Sequence, residues 1–408
     1  MNRVVITGAG IISPLGNNVH TFWNNLKQGK SGISILDVDE DYGKTAAGVV
    51  YDFDPVEIFG KKQARKMDRF TQFALAATEQ ALESSELELD KINKERLGVF
   101  VGSGIGGINT LIENVNILNK KGSSRVSPSL VPTMIPNAAA AQISIRLSAL
   151  GPSISPVTAC SSGNTSIGEA FNTIKHGDAD IIFAGGTEAA INSLSLSSFR
   201  NAQALTKNLD PASASRPFDV ERDGFVISEG AGILVLESLE SAVERSAPVI
   251  CEIIGYGSSS DAYHMVSPNP EGIGAYLSMK KALESGNMTP DEIDLISAHA
   301  TSTKIGDISE TLAIKKAFGE KADSIPITAN KSMLGHMLGA SGSVEAIALI
   351  ESIKHGIIPP TINLNNPDPD CDLDYVSEGM RKQQINIGLS NSFGFGGHNA
   401  TILLKKYL

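Results

Sequence analysis

Cysteine is scarce: the 408 residues hold three, Cys160, Cys251 and Cys371. An odd set of three cannot close into a disulfide framework, so a stapled secreted scaffold is excluded and a reducing compartment is expected. Positive charge is in deficit, with 34 Lys and Arg against 45 Asp and Glu and a net charge of −11. That argues against a general nucleic-acid binder, which would be basic. No apolar run reaches the roughly 18 residues a membrane span needs. There is no G-X-Y period, no solenoid repeat of 20–50 residues and no low-complexity segment. A GxxxxGK[ST] phosphate loop is missing, and no Cys/His pairs stand at zinc spacing.

What is present is an ordinary globular composition, 41% apolar and 19% charged, which excludes disorder. The length fits two domains or one large fused one. Short apolar runs alternate with helical stretches, the pattern of an α/β chain. Strands are expected at 4–7, 97–102, 180–186, 232–238, 294–299, 325–330, 385–392 and 400–406, the last two closing a hairpin through FGFGGHN. The first is taken to stop at Thr7 because Gly8, Gly10 and Pro14 follow, and it is read as a strand and not as a signal peptide. Helices are expected over Phe70–Ser84, Ser162–Gly177, Gly274–Ser285 and Ser343–Gly356. The segment ERSAPVI around Arg245–Pro248 reads as a junction, giving halves of residues 1–247 and 248–408.

Cys160 lies in PVTACSSGNTSIG, where a strand leads in, small residues turn and a helix leaves. A thiol there meets a helix N-terminus, whose dipole favours thiolate, and its small neighbours leave room for a substrate. The other reading is a buried inert cysteine, and Cys251 and Cys371 are left to it. Of seven histidines, His176 and His355 stand just before a glycine at helix ends and read as structural. His299 ends the run DLISAH, and His336 lies between glycines in NKSMLGHMLGASG, five residues after Lys331. Ligands gather beyond the carboxyl ends of strands in open α/β sheets. Four such groups at strand ends point to a site, whereas any one alone reads as structural. In ITGAGIIS, Ser13 and Pro14 stand where the third glycine and the helix of a dinucleotide fold should follow, and neither this stretch nor GSGIGG has an evident acidic ribose partner; a lone pattern of this type is weak, so NAD(P) and FAD are set aside.

Taken together, these segments resemble the elongating β-ketoacyl-[acyl-carrier-protein] synthases of type II fatty acid synthesis, over essentially the whole chain. TACSSG, AHATSTKIGD, NKSMLGHMLGASG and NSFGFGGHN match in order, as do ARKMDRF, RPFD, ERDGFV, DAYHM and PPTINLNNPD. The resemblance implies a thiolase-like layered αβαβα fold of two related halves. It implies a decarboxylative Claisen condensation that extends an acyl chain by two carbons, with acyl and malonyl thioesters as substrates. Cys160 would be the nucleophile, His299 and His336 the enolate donors, and Lys331 an organiser, bonded to Glu310. The backbone of Cys160 and Phe395 would bind the oxyanion. Phe395 would gate an acyl pocket lined by Ile105, and Thr301 and Thr303 would meet the pantetheine arm. No metal or organic cofactor is implied, because the phosphopantetheine belongs to the acyl carrier protein. A homodimer in the cytoplasm, or in the stroma if the source bears plastids, is implied too.

Initiating synthases carry Asn where His336 stands, non-catalytic chain-length partners lack the cysteine, and a polyketide ketosynthase shares every one of these residues. Ala300, Val266, His398 and Gln203 depart from common members, at Gly, Thr, Thr and Arg respectively. For docking of the acidic carrier protein, Lys61, Lys62, Arg65, Lys66 and Arg69 place five positive charges in nine residues, with Arg125 as a further contributor. If helical, Lys62, Arg65, Lys66 and Arg69 share one face. The bland reading of that cluster is a solvated helix face.

Overall fold

The computed structural model describes residues 1–407. Its first strand, β1, runs Val4–Ile12, well past Thr7. Gly8 and Gly10 do not break it; they let it lie directly on the helix Arg69–Ser84. A Cβ at Gly8 would stand 2.4 Å from the Ala81 carbonyl oxygen, and one at Gly10 1.9 Å from that of Ala77. The glycines thus mark close packing of backbone on backbone.

Nine more strands complete one mixed sheet: Leu97–Gly102 (β2), Ser153–Ile154 (β3), Ile181–Glu188 (β4), Gly230–Ser238 (β5), Cys251–Ser260 (β6), Leu295–Ser297 (β7), Ile327–Thr328 (β8), Ile387–Gly394 (β9) and His398–Lys405 (β10). Their order is β8-β7-β9-β10-β6-β1-β5-β4-β2-β3. The seam is the antiparallel contact of β1 with β6, Val4 opposite Ile253 and Ile6 opposite Cys251. Outward from it, each side runs through the first, fifth, fourth, second and third of its own five strands. The run 325–330, expected as a strand, pairs only at Ile327–Thr328; Asn330 already has helical backbone angles and starts the turn Lys331–Leu334.

Six helices sort into three layers by what they touch. They are α1 (Arg69–Ser84), α2 (Ala138–Leu147), α3 (Ser162–His176), α4 (Ile273–Gly286), α5 (Lys304–Phe318) and α6 (Ser341–His355). The pair α1 and α2 covers the outer face of the first five strands, and α4, flanked by α5, that of the last five. Between the two sides lie α3 and α6, each touching strands of both. Each helix layer has its own apolar core. The central one joins Ile167, Phe171 and Ile174 of α3 to Val344, Ile347 and Ile350 of α6. A helix buried on every side must be small or apolar all round, and α6 is buried from Ser341 through Ile353.

Both α3 and α6 end at a histidine before a left-handed glycine, Gly177 and Gly356. His355 stacks on Trp23 at 5.6 Å and bonds Glu351 at 3.1 Å, the structural role read from the sequence. A separate hairpin, Ser34–Asp39 with Gly43–Gly48, pairs with Ile227–Ser228. Sequence patterning did not reveal it. It shields an apolar cluster of Tyr42, Leu196, Leu205, Phe225 and Leu338 that abuts Cys160.

Candidate active site

Cys160 sits in the turn Ala159–Ser161 that leads into α3. Ala159 before it has φ +50°, a left-handed conformation that a residue with a Cβ adopts only under constraint. Ser161 Oγ and Ser162 Oγ hold the turn by donating to the carbonyls of Thr158 and Ala159, both at 2.7 Å. The same signature recurs at the other loops: Ala300 follows His299 at φ +40°, Ser302 stands at φ +70°, and Leu338 follows His336 at φ +47°.

A cavity of about 690 Å³ opens over these loops, within the range of small-ligand sites. Cys160, His299, His336, Ile105, Thr301, Thr303 and Phe395 all line it. Thr301 and Thr303 hydroxyls bond each other at 3.0 Å. Phe395 is at the tip of the β9–β10 hairpin, where Gly394 faces His398, and its ring lies 6.3 Å from Phe199. The backbone N–H groups of Phe395 and of Cys160 itself bear on the Cys160 sulfur.

Burial pushes the Cys160 thiol up to about 12; the Lys331 charge and those two N–H groups pull the other way. The thiol is therefore not a standing thiolate, as its place at a helix start had suggested. Burial, and then the Lys331 charge, hold both imidazoles well below their ordinary 6.5, so both are neutral. Their rings meet at right angles with centroids 5.3 Å apart. His299 Nδ1 faces Lys331 Nζ at 3.4 Å, and since an ammonium only donates, the proton of His299 belongs on Nε2. His336 Nδ1 is taken up by Ser341 Oγ at 2.9 Å.

Lys331 is not bonded to Glu310, as expected from the sequence, but to Glu345 Oε1 at 2.6 Å, on the first turns of α6. Glu310 instead accepts the backbone N–H groups of His299 and Ala300 at 2.8 and 2.7 Å and the Asn391 amide at 3.2 Å. It fixes the backbone that carries His299. Glu345, Ser341 and the aromatic neighbours Phe225 and Phe393 escaped the sequence reading. The signal for Glu345 was available: an acidic residue inside the apolar run VEAIALI needs a buried partner.

The basic cluster does not form one helix face. Lys61–Ala64 is a four-residue turn, and Asp68 caps a new helix at Arg69. Lys61, Lys62, Arg65, Lys66 and Arg125 are exposed. Arg69 is turned inward, onto Glu229 at 2.8 Å and the Val50 carbonyl at 2.7 Å, with Phe73 under its guanidinium. It leaves the patch because two acceptors and a ring satisfy it inside. Among the described residues no helix is long and apolar enough to cross a membrane.

Comparison with known proteins gives a concordant result. The profile for the β-ketoacyl synthase N-terminal domain matches residues 1–242, and that for the C-terminal domain matches 250–365. The chain is 46% identical to a 3-oxoacyl-[acyl-carrier-protein] synthase 2 of Synechocystis sp., over 99% of this chain and 98% of that one. It is likewise 46% identical to the synthase 2 of Staphylococcus aureus, with the same coverage. Among solved structures, a type II polyketide ketosynthase in complex with its acyl-carrier protein superposes with a TM-score of 0.92, at 34% identity and full coverage of both chains. A β-ketoacyl synthase from Burkholderia phymatum gives 0.92 at 33% identity, also over both whole chains.

Proposed function

The chain belongs to the β-ketoacyl synthase family, and from that premise we propose that it is a 3-oxoacyl-[acyl-carrier-protein] synthase that elongates fatty acyl chains. The observation that carries this reading is one cavity lined by a thiol and two imidazoles that burial keeps neutral. Cys160 sulfur attacks the acyl thioester carbonyl; the carbon–sulfur bond to the carrier arm breaks, and the thiol proton leaves with the pantetheine thiol. The N–H groups of Cys160 and Phe395 stabilise the intermediate oxyanion. Malonyl thioester then binds, its carboxylate leaves as CO2, and the electron pair forms an enolate held by Nε2–H of His299 and of His336. The carbanion attacks the acyl carbonyl, a carbon–carbon bond forms, and Cys160 departs as thiolate and takes a proton from solvent. The sum is a β-ketoacyl thioester two carbons longer. Lys331 adds to burial in keeping the imidazoles neutral and orients His299, Thr301 and Thr303 hold the pantetheine arm, and Phe395 gates a pocket that Ile105 lines. These steps draw on no metal or organic cofactor of the chain's own.

The partner is an acyl carrier protein, met by Lys61, Lys62, Arg65, Lys66 and Arg125. Residues 1–247 and 248–408 act as two halves that share one site. A homodimer covers the edge strand β3: Ile154, Val157 and Ile145 are exposed there, as is the stripe Leu111, Val115 and Leu118 of the helix Ile108–Lys121. The setting is the cytoplasm, or plastid stroma for a plastid-bearing source. Polyketide elongation is the second reading, favoured by the likeness to the polyketide ketosynthase. Incubation with acyl-carrier-protein thioesters, followed by mass spectrometry, should show the acyl group on the Cys160 peptide, and Cys160→Ala should abolish it. A Cys160 peptide that stays unmodified would overturn the proposal. Extension of saturated acyl thioesters past two added carbons separates the two readings: fatty elongation stalls without keto reduction, whereas a polyketide enzyme continues.

A further inference from the structure

Behind the cavity wall lies a carboxylate that none of these steps uses. Glu188 ends β4 and is fully buried. Its partners are four donors: Ser103 Oγ at 2.7 Å, Gly104 N–H at 2.7 Å, Ile105 N–H at 3.2 Å and Gly339 N–H at 3.1 Å. No lysine or arginine is bonded to it among the described residues. The Ser103 hydroxyl, which donates to Glu188, accepts the Gly106 N–H at 2.9 Å. Every group pointed at the carboxylate is a donor. Burial pushes the carboxyl above its ordinary range and these four donors pull it back; three of them are backbone N–H groups that can only donate, so the cage favours the anion, and a glutamine amide would turn an N–H against one of them.

The donors belong to two separate segments. Ser103–Gly106 is the loop after β2 and carries Ile105; Leu338–Ala340 is the turn after His336 and carries Leu338. Ile105 and Leu338 both line the cavity. At the carboxylate the two backbones touch, since a Cβ on Gly339 would fall 2.5 Å from Gly104 N and 2.9 Å from Glu188 Oε2. Gly104 also meets Ala159, next to Cys160: a Cβ on Gly104 would lie 2.8 Å from Glu188 Oε2 and 3.4 Å from the Ala159 carbonyl oxygen.

We propose that Glu188, as the anion, is a positioning residue that ties the Ile105 loop to the Leu338 turn and so sets the width of the pocket for the acyl chain. This rests on the reading that Cys160 accepts an acyl chain in this cavity. The same negative charge acts on Cys160 against the positive charge of Lys331; the two histidines that line the cavity with the thiol are neutral and add no charge.

The test is Glu188→Gln in the full-length protein, with acyl transfer to Cys160 measured for two-carbon and long-chain acyl thioesters. KM for the long chain should rise about tenfold or more, and that for the two-carbon chain less than about twofold. The iodoacetamide alkylation midpoint of Cys160 should move down by about half a pH unit or more, because a negative neighbour has gone. Equal losses on both chains, an unchanged KM or an unmoved midpoint would overturn the proposal. If Glu188→Gln does not fold, Ser103→Ala keeps the charge but removes one donor and the Gly106 relay. It should raise the long-chain KM and leave the alkylation midpoint in place, and an unchanged KM would be decisive against the clamp. Should wild-type Cys160 take up no acyl group at all, the proposed function fails, and the clamp fails with it.

Discussion

Each imidazole of the site has one nitrogen occupied and one facing the cavity, and the two rings meet edge to face. Removing either donor leaves a developing enolate without one of its hydrogen bonds in a dry site, a loss of about 3 kcal/mol in the transition state. His299→Ala and His336→Ala should each slow condensation by two orders of magnitude or more, while Cys160 still takes an acyl group; a condensation assay beside an acylation assay checks both. Their neutrality also has a pH signature. An imidazole kept neutral when folded, but protonated below about 6.5 when unfolded, gives the unfolded chain more protons as pH falls. Stability from this source is full above 6.5 and declines below it. Asp307 and Glu345, pushed up to about 7 by burial, act in the opposite sense, so the comparison must be a difference. The urea midpoint of His336→Asn relative to wild type should improve from pH 8 to pH 5.5. The buried Lys331–Glu345 pair makes a third case. Truncating Lys331 alone strands a carboxylate, at a cost of about 3–5 kcal/mol. Lys331→Met with Glu345→Met should recover much of that stability and none of the activity, as denaturant melts and the condensation assay will show.

The ten-stranded sheet depends on places where no side chain fits. At Gly10 the strand β1 presses on α1, and Gly10→Ala would drive a methyl group into the Ala77 carbonyl. Moving a helix off a sheet to admit a methyl costs about 1–3 kcal/mol; the variant should melt lower, with activity per folded molecule unchanged. This contact also shows where sequence patterning runs out. Short apolar runs located β2, β4, β5, β9 and β10 to within two residues. The helix α3 was legible from its apolar stripe at Ile167, Ala170, Phe171 and Ile174. Glycine, however, looks alike in a turn and in a tight contact, so β1 appeared to stop early. The site's outline was legible because Cys160, His299, His336 and Lys331 stand at element ends in long motifs. Partnership was not: whether Lys331 meets Glu310 or Glu345 depends on how α6 is threaded between the two sides. Arg69 misled for the same reason, since a charge run says nothing of which member turns inward.

At the scale of the molecule, the chemistry inside and the charge outside are separable. Lys61, Lys62, Arg65 and Lys66 are exposed and distant in sequence from every cavity residue. A patch of this kind raises encounter rates with an acidic partner and is screened by salt. Arg65→Glu with Lys66→Glu should raise KM for acyl-carrier-protein substrates at least about tenfold and leave a short pantetheine thioester unaffected, with the wild-type KM alone climbing as salt is added. Steady-state kinetics on both substrates at several ionic strengths checks it. The sheet has a consequence of a different sort. The hairpin of β9 and β10 does not extend an edge; it is inserted between β6 and β7, in the interior of the second side. A ribosome releases Cys160 long before it releases this hairpin, and Phe395 arrives with it. Until residues 387–405 emerge, β6 and β7 have no strand between them and the thiol lacks its opposing N–H from Phe395. The wall of the cavity that Phe393, Gly394, Phe395 and Asn399 supply is thus among the last parts of the chain to be made, and the surroundings of Cys160 are complete only when this hairpin has been threaded between its neighbours.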